Sequence, residues 1–263
     1  MASNEFSERE LRAVKKRVCR MGVATNYGLD GRGFAKALDH GVNYVFWTSF
    51  RSGDITPVFA EKLKADRERY VVATGPTVGF FGGSYRRGVE KALKTLKVDY
   101  LDVFHLFWLG VTSALTEGTM SELQKLKEEG KIRAIGTSIH DRERAGRLAA
   151  DSPIDLFMIR YNAAHPGAER DIFPHLAKRD PSLVAYTATS WRKLLKRPSK
   201  WTGNVATASD CYRFCLSSPH VDVVLSGPAN EQQLDENLAA LQKGPLSDDE
   251  MAWMRDFGRA VHG

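Results

Sequence analysis

The sequence predicts an α/β fold, a (β/α)8 barrel with one extra helix at its C-terminal end. Two observations predict it. Short apolar, β-branched runs alternate with longer segments of helical period along the whole chain, and there are eight such runs within 263 residues. Near-continuous apolar runs suit parallel strands that are buried on both faces. Eight strand–helix units in this length imply closure into a TIM-type barrel, expected to occupy residues 1–263 as one domain. An open doubly wound sheet would be favoured by a glycine-rich phosphate loop after the first strand. The nearest string, Gly28-Leu29-Asp30-Gly31-Arg32-Gly33, does not read GxGxxG.

The strands are expected at 18–24, 43–48, 70–74, 101–107, 133–138, 156–161, 182–187 and 221–226. Helices are expected between them. The first is 31–40. The second, 57–66, opens with Pro57, where a missing N–H costs little. The third, 84–96, opens on a capping Ser84 and places Val89, Leu93 and Leu96 on one face. Residues 121–129 end at Gly130, a favourable residue just past a helix end. Asp141 caps 141–150, and 168–178, 208–217 and 230–241 follow. The supernumerary helix is 247–261. Ser247-Asp248-Asp249-Glu250 has the pattern of a capping box, and Met251, Met254, Phe257 and Val261 share a packing face.

Composition narrows the class. The chain is 43% hydrophobic and 27% charged, an ordinary globular balance. No apolar run reaches the roughly 18 residues of a membrane-spanning helix. Met1 to Lys16 is polar and does not resemble a secretory signal. Three cysteines cannot build a disulfide framework, and this usage fits a reducing, cytoplasmic setting. The formal charge is +6 with a pI near 9.2, but the basic clusters lack interleaved aromatics, so nucleic acid is not an expected partner. The sequence does not reveal an oligomeric state.

In a barrel, chemistry belongs to the C-terminal strand ends and the loops after them. Those positions carry Trp47-Thr48-Ser49-Phe50-Arg51, the loop Gly79-Phe80-Phe81-Gly82-Gly83, Phe107-Trp108, Ser138-Ile139-His140-Asp141, Arg160-Tyr161-Asn162 and Tyr186-Thr187, with Trp191 beyond. This is an aromatic mouth with few acids. It suits a planar organic small molecule and not hydrolysis by paired carboxylates. His140, His165 and Asp141 match no metal-ligand spacing, so no metal is expected. His105 lies two residues before Phe107 and should face the same way. Cys211 and Cys215 share a helix face and read as packing residues.

Several strings resemble the aldo-keto reductase family. Lys131-Ile132-Arg133-Ala134-Ile135-Gly136-Thr137-Ser138 looks like its fifth strand. Gly41-Val42-Asn43, Asp99-Tyr100-Leu101-Asp102 and Ala185-Tyr186-Thr187 look like entries or cores of strands two, four and seven. The run from Ser226 through Asn237 is similar to the family's nucleotide-binding loop and helix. The likeness extends from about Arg17 to Leu241. It implies an NADP- or NAD-binding oxidoreductase in which a tyrosine gives a proton while hydride arrives from nicotinamide, assisted by Lys, Asp and His. At the matching positions this chain has Phe46 for the aspartate, Arg51 for the tyrosine, Gly75 for the lysine and Phe107 for the histidine. Ser138 matches the serine that holds the carboxamide, with Ile139 and Met158 replacing its polar companions. Tyr186 matches the ring that stacks on nicotinamide, and Gly227, Gln233 and Asn237 match the adenosine end. No Lys or Arg lies between Ser226 and Asn237, so the resemblance implies a weakened hold on a 2′-phosphate.

Carbonyl reduction needs a proton donor near the developing alkoxide, and Phe46, Gly75 and Phe107 supply none. Arg51 can stabilise an oxyanion but is a poor acid. Three readings follow. One is a reductase-like barrel that keeps a nucleotide pocket without the standard reaction, any chemistry resting on groups such as Arg51 or His105. Another is a non-catalytic binding or scaffold barrel, a pseudoenzyme. The third is a NADP(H)-dependent oxidoreductase with relocated residues drawn from Tyr27, Tyr85, Tyr161 or Lys62.

Overall fold

The computed structural model describes residues 6–76 and 85–262. The expected loop 79–83 and the capping Ser84 lie outside these residues. The chain opens with an antiparallel hairpin, β1 (Glu8–Leu11) and β2 (Lys16–Cys19). The strands β3 (Met21–Ala24), β4 (Tyr44–Phe46), β5 (Val71–Thr74), β6 (Leu101–Leu106), β7 (Ile132–Ile139), β8 (Leu156–Arg160), β9 (Ser182–Tyr186) and β10 (Val223–Ser226) then form a closed parallel barrel. They follow chain order, and β10 pairs β3 to seal it. The (β/α)8 architecture expected from the alternation is therefore the observed one.

The outer layer comprises α1 (Gly31–Asp39), α2 (Ile55–Ala65), α3 (Tyr85–Leu96), α4 (Glu117–Glu128), α5 (Arg142–Ala150), α6 (Ala168–Asp171), α7 (Phe173–Leu176), α8 (Ala208–Ser217), α9 (Glu231–Lys243) and α10 (Asp248–His262). The extra C-terminal helix α10 buries Met254 and Phe257, and Phe257 meets the Trp201 ring at 5.3 Å. Strand alternation splits the core in two. Val72, Phe104, Ile135 and Phe157 pack outward against the helices, while Tyr44, Val71, Val103, Met158 and Val184 fill the lumen.

Four local expectations are corrected. The run 18–24 is not one strand. It breaks at Arg20, whose buried guanidinium donates to the carbonyls of Leu216 and Val221, so residues before the break join the hairpin. The polar N-terminal segment hides that hairpin. Leu11, Val14 and Val18 plug the barrel floor, and Ala13 N donates to Ser182 Oγ at the start of β9. Two buried carboxylates tie it down: Asp102 accepts from Arg67 and the Val72 amide and pairs with Lys16 at 3.0 Å, and Asp222 pairs with Arg12 at 3.0 Å. Helix 121–129 in fact begins at Glu117, because Thr116 accepts from the Thr119 amide and caps it. The helix expected over 168–178 divides into α6 and α7, since Ile172 leaves helical geometry (φ −124°) and Pro174 brings no N–H.

Candidate active-site cavity at the C-terminal face

The C-terminal strand ends surround a cavity of about 520 Å³. Its floor is apolar: Ala24, Phe46, Phe107, Met158 and Leu225. Its walls are aromatic, from Tyr27, Phe50, Trp108, Tyr186, Trp191 and Tyr212. Among the described residues that line it, none is Asp or Glu, and Arg192 is the one permanent cation. This matches the aromatic, acid-poor mouth expected from the sequence; Phe80 and Phe81 lie outside the described residues.

The sequence-selected residues fall into three groups. Ser138, Tyr186 and Gly227 line the cavity. Ser138 Oγ accepts the Trp108 amide at 2.7 Å, and the Ser138 carbonyl accepts Leu109 N at 2.7 Å, so Ser138 also fixes the turn that presents Trp108. Gly227 lies beneath the Tyr27 ring; a Cβ there would stand 2.6 Å from ring carbons. Gln233 and Asn237 sit on α9 beside the cavity and not on its lining. Gln233 Oε1 accepts the Ala229 amide at 2.9 Å and holds the 227–230 loop, while Asn237 is buried against the barrel.

Arg51 and His105 form the third group, and the structure brings neither to the cavity surface. Arg51 is exposed, adopts left-handed backbone (φ 57°) and lays its guanidinium over the Phe50 ring at 5.1 Å. His105 does share the lumen with Phe107, as its parity implied, but it is fully buried beneath Phe46, whose ring lies 5.5 Å away. Neither imidazole nitrogen has a partner at hydrogen-bond geometry. Burial drives its pKa down to about 3, against a lesser opposing pull from the Thr137 backbone. A neutral ring sealed in the barrel cannot reach a ligand. Its space comes from glycines on either side, Gly136 on β7 and Gly75 just past the end of β5: a Cβ on Gly136 would lie 2.8 Å from His105 Nδ1, and one on Gly75 would lie 2.7 Å from the His105 carbonyl oxygen.

Tyr85, Tyr161 and Lys62 do not reach the cavity either. Tyr85 opens α3 and turns its ring to Phe104 on β6, Tyr161 donates to Glu169 at 2.7 Å, and Lys62 pairs with Asp39 at 2.6 Å. Tyr27 does reach it. Trp47, expected at the mouth, instead donates its Nε1 to Thr56 and lies outside the cavity. Cys211 and Cys215 are buried packing residues on α8.

Sequence reasoning passed over Asn26 in the loop after β3 and Arg192 in the loop after β9, both of which line the cavity. The second loop is unusual. Thr187, Ser190, Trp191 and Arg192 all take left-handed backbone, with φ between 49° and 66°. Each such non-glycine residue costs on the order of 1–2 kcal/mol. Hydrogen bonds from Ser190 N to Thr187 O and from Lys193 N to Ser190 O hold the turn, at 2.8 and 3.0 Å. On the cavity wall Tyr186 pairs with His140, whose Nε2 lies 3.0 Å from the phenol oxygen. Burial pushes the Tyr186 pKa up to about 12 and lowers that of His140, with the Arg160 charge adding to the fall at His140.

Comparison with known proteins agrees with this geometry. The description "Aldo/keto reductase family" matches residues 34–200. The chain belongs to the aldo/keto reductase family. Its relatives include L-galactose dehydrogenase of Arabidopsis thaliana, 21% identical across 76% of this chain and 74% of that one. Another is the NADH-specific methylglyoxal reductase of Escherichia coli, 26% identical across 68% of this chain and 65% of that one. Among solved structures, an aldo-keto reductase of Bacillus halodurans superposes with a TM-score of 0.79 at 21% identity, covering 96% of both chains. An aldo/keto reductase of Klebsiella pneumoniae in complex with NADP and acetate gives 0.75 at 22% identity over 93% of both. Among the described residues no helix is long and apolar enough to cross a membrane, and no three His, Cys, Asp or Glu side chains gather as a metal cluster would.

Proposed function

We propose that this aldo/keto reductase-family barrel binds a nicotinamide dinucleotide at its C-terminal face and has lost the family's standard carbonyl reduction. The observation that carries the reading is the composition of the cavity. Ser138, Tyr186 and Gly227, the residues aligned with cofactor-holding positions, line it, whereas its acid–base positions hold two phenylalanine rings. Phe46 and Phe107 pack with centroids 6.2 Å apart. Gly75 cannot gain a side chain without displacing the His105 backbone. A proton donor is therefore missing where hydride would arrive, and the tetrad is degenerate in this reading. The relatives' reductase names and the NADP-bound neighbour support the nucleotide.

The residues toward the nucleotide have defined tasks. Tyr186 offers a ring face for stacking, and Ser138, whose oxygen already accepts the Trp108 amide, retains a hydroxyl proton for a carboxamide oxygen. The N-terminal turns of α9 carry Glu231 and Asp235, each already paired with Arg32 or Lys36, so this end favours a ribose hydroxyl over a 2′-phosphate. NADH is thus expected to bind at least as tightly as NADPH. When bound, the nucleotide would supply hydride.

A second reading has one observation in its favour. Tyr186 and His140 form a hydrogen-bonded pair on the cavity wall, which places a hydroxyl proton and an imidazole side by side at the cavity, although burial, by raising the phenol pKa to about 12, makes Tyr186 a weaker acid than a free tyrosine. In that case reduction persists through relocated groups. A panel of small aldehydes and ketones assayed with NADH and with NADPH tests both. Our reading expects no nucleotide oxidation above the protein-free rate. Turnover that falls at least tenfold in Tyr186→Phe would establish the second reading in its place.

A further inference from the structure

Among the described residues that line the cavity none is an acid, yet Arg192 on the lining and Arg160 at the end of β8 have no carboxylate of their own. Elsewhere in the chain Arg12, Arg67, Arg142, Arg213 and Arg255 are each paired with an acid. Among the described residues neither Arg160 nor Arg192 has such a partner. Arg192 lines the cavity, carried there by the left-handed turn that also exposes Trp191. Arg160 ends β8 on the face that Leu156 and Met158 direct into the lumen, in register with Tyr186 on β9. Its charge is felt at Tyr186 and His140. The rings of Tyr186, Trp108 and Trp191 line the same cavity as Arg192. Deeper in, Asn26 lines the same cavity with its side-chain oxygen buried and unpartnered.

We propose that the cavity is a site for a planar aromatic molecule carrying an oxyanion, its ring between the wall aromatics and its anionic group held by Arg192 and Arg160. Guanidinium groups grip carboxylate or phosphate through paired N–H donors. A cavity with no competing acid leaves those donors to the ligand. The Asn26 amide meets a polar substituent at the far end of the ring. This inference uses the same cavity as the nucleotide reading but not the same ligand.

Calorimetric titration with 2-naphthoate, 2-naphthyl phosphate and the neutral 2-naphthamide tests it. Either anion should bind at least tenfold more tightly than the amide, and whichever anion binds more tightly identifies carboxylate or phosphate as the preferred group. That preference should vanish in the Arg160→Met/Arg192→Met double variant, with an unchanged thermal melt certifying its fold. Equal binding of anion and amide, no binding of either anion, or a preference that survives the double variant would overturn the proposal. NADH is titrated on the same samples. Anion preference without NADH binding removes the nucleotide reading and leaves this one; NADH binding without naphthoate or naphthyl phosphate binding does the reverse.

Discussion

At the residue scale, His105 and its two glycine neighbours make the sharpest claims. A Cβ at Gly75 meets main-chain atoms of His105, which cannot swing aside as a side chain would. Gly75→Ala is expected to destabilise by about 1–3 kcal/mol, read as a shift of the urea midpoint at unchanged slope. An unshifted midpoint would show that β5 and β6 yield freely. His105 also sets a pH dependence. Its pKa falls from 6.5 to about 3 on burial, so below pH 6.5 the unfolded chain binds a proton that the native chain refuses. Its contribution is intact above pH 6.5 and is lost as pH falls toward 3. At pH 5 the loss is about 2 kcal/mol. Because both nitrogens lack partners, His105→Leu should be nearly neutral at pH 7 and should flatten the stability loss between pH 7 and 5. An equally steep acid limb in that variant would assign the dependence to other groups. This environment was not legible in the sequence. The parity of His105 with Phe107 gave its direction, but the glycines that make its pocket come from elsewhere in the chain, Gly75 just past β5 and Gly136 on β7.

At the scale of elements, the hairpin β1–β2 is part of the barrel core despite its polar sequence. Leu11 is fully buried on the barrel floor. Leu11→Ala is expected to cost roughly 2–5 kcal/mol, measured by chemical denaturation. A loss below 0.5 kcal/mol would mean that the hairpin is a dispensable cover. The sequence concealed it because only one face of a four-residue strand is apolar, and the charges between carry its anchors. Arg12 and Lys16 meet the buried Asp222 and Asp102. By contrast the barrel strands were legible, since burial on both faces writes itself into the sequence as unbroken apolar runs. The loop after β9 was not. Nothing in Thr187 to Arg192 announces left-handed backbone, a conformation that glycine or asparagine usually marks, so although Trp191 was expected near the mouth, the placement of Arg192 at the cavity emerged only from the folded chain.

At the scale of the whole molecule, the barrel keeps the architecture of its relatives. Order of elements, closure and the C-terminal helix follow from hydrophobic pattern, which the sequence states plainly. Ser138, Tyr186 and Gly227 were placed at the cavity through likeness to a family, and the folded chain puts them there. Arg51 and His105 were chosen because their residue types can do chemistry, and residue type alone does not report which side of a wall a group occupies. The account stands or falls on the nucleotide. The most direct measurement is a fluorescence titration of the purified protein with NADH and with NADPH, following quenching of Trp108 and Trp191, the tryptophans that line the cavity. Saturable quenching in the micromolar range, with NADH no weaker than NADPH and weakened at least tenfold in Tyr186→Ala, is the predicted result. No saturable signal up to millimolar nucleotide would contradict it and leave the barrel without the cofactor of its family.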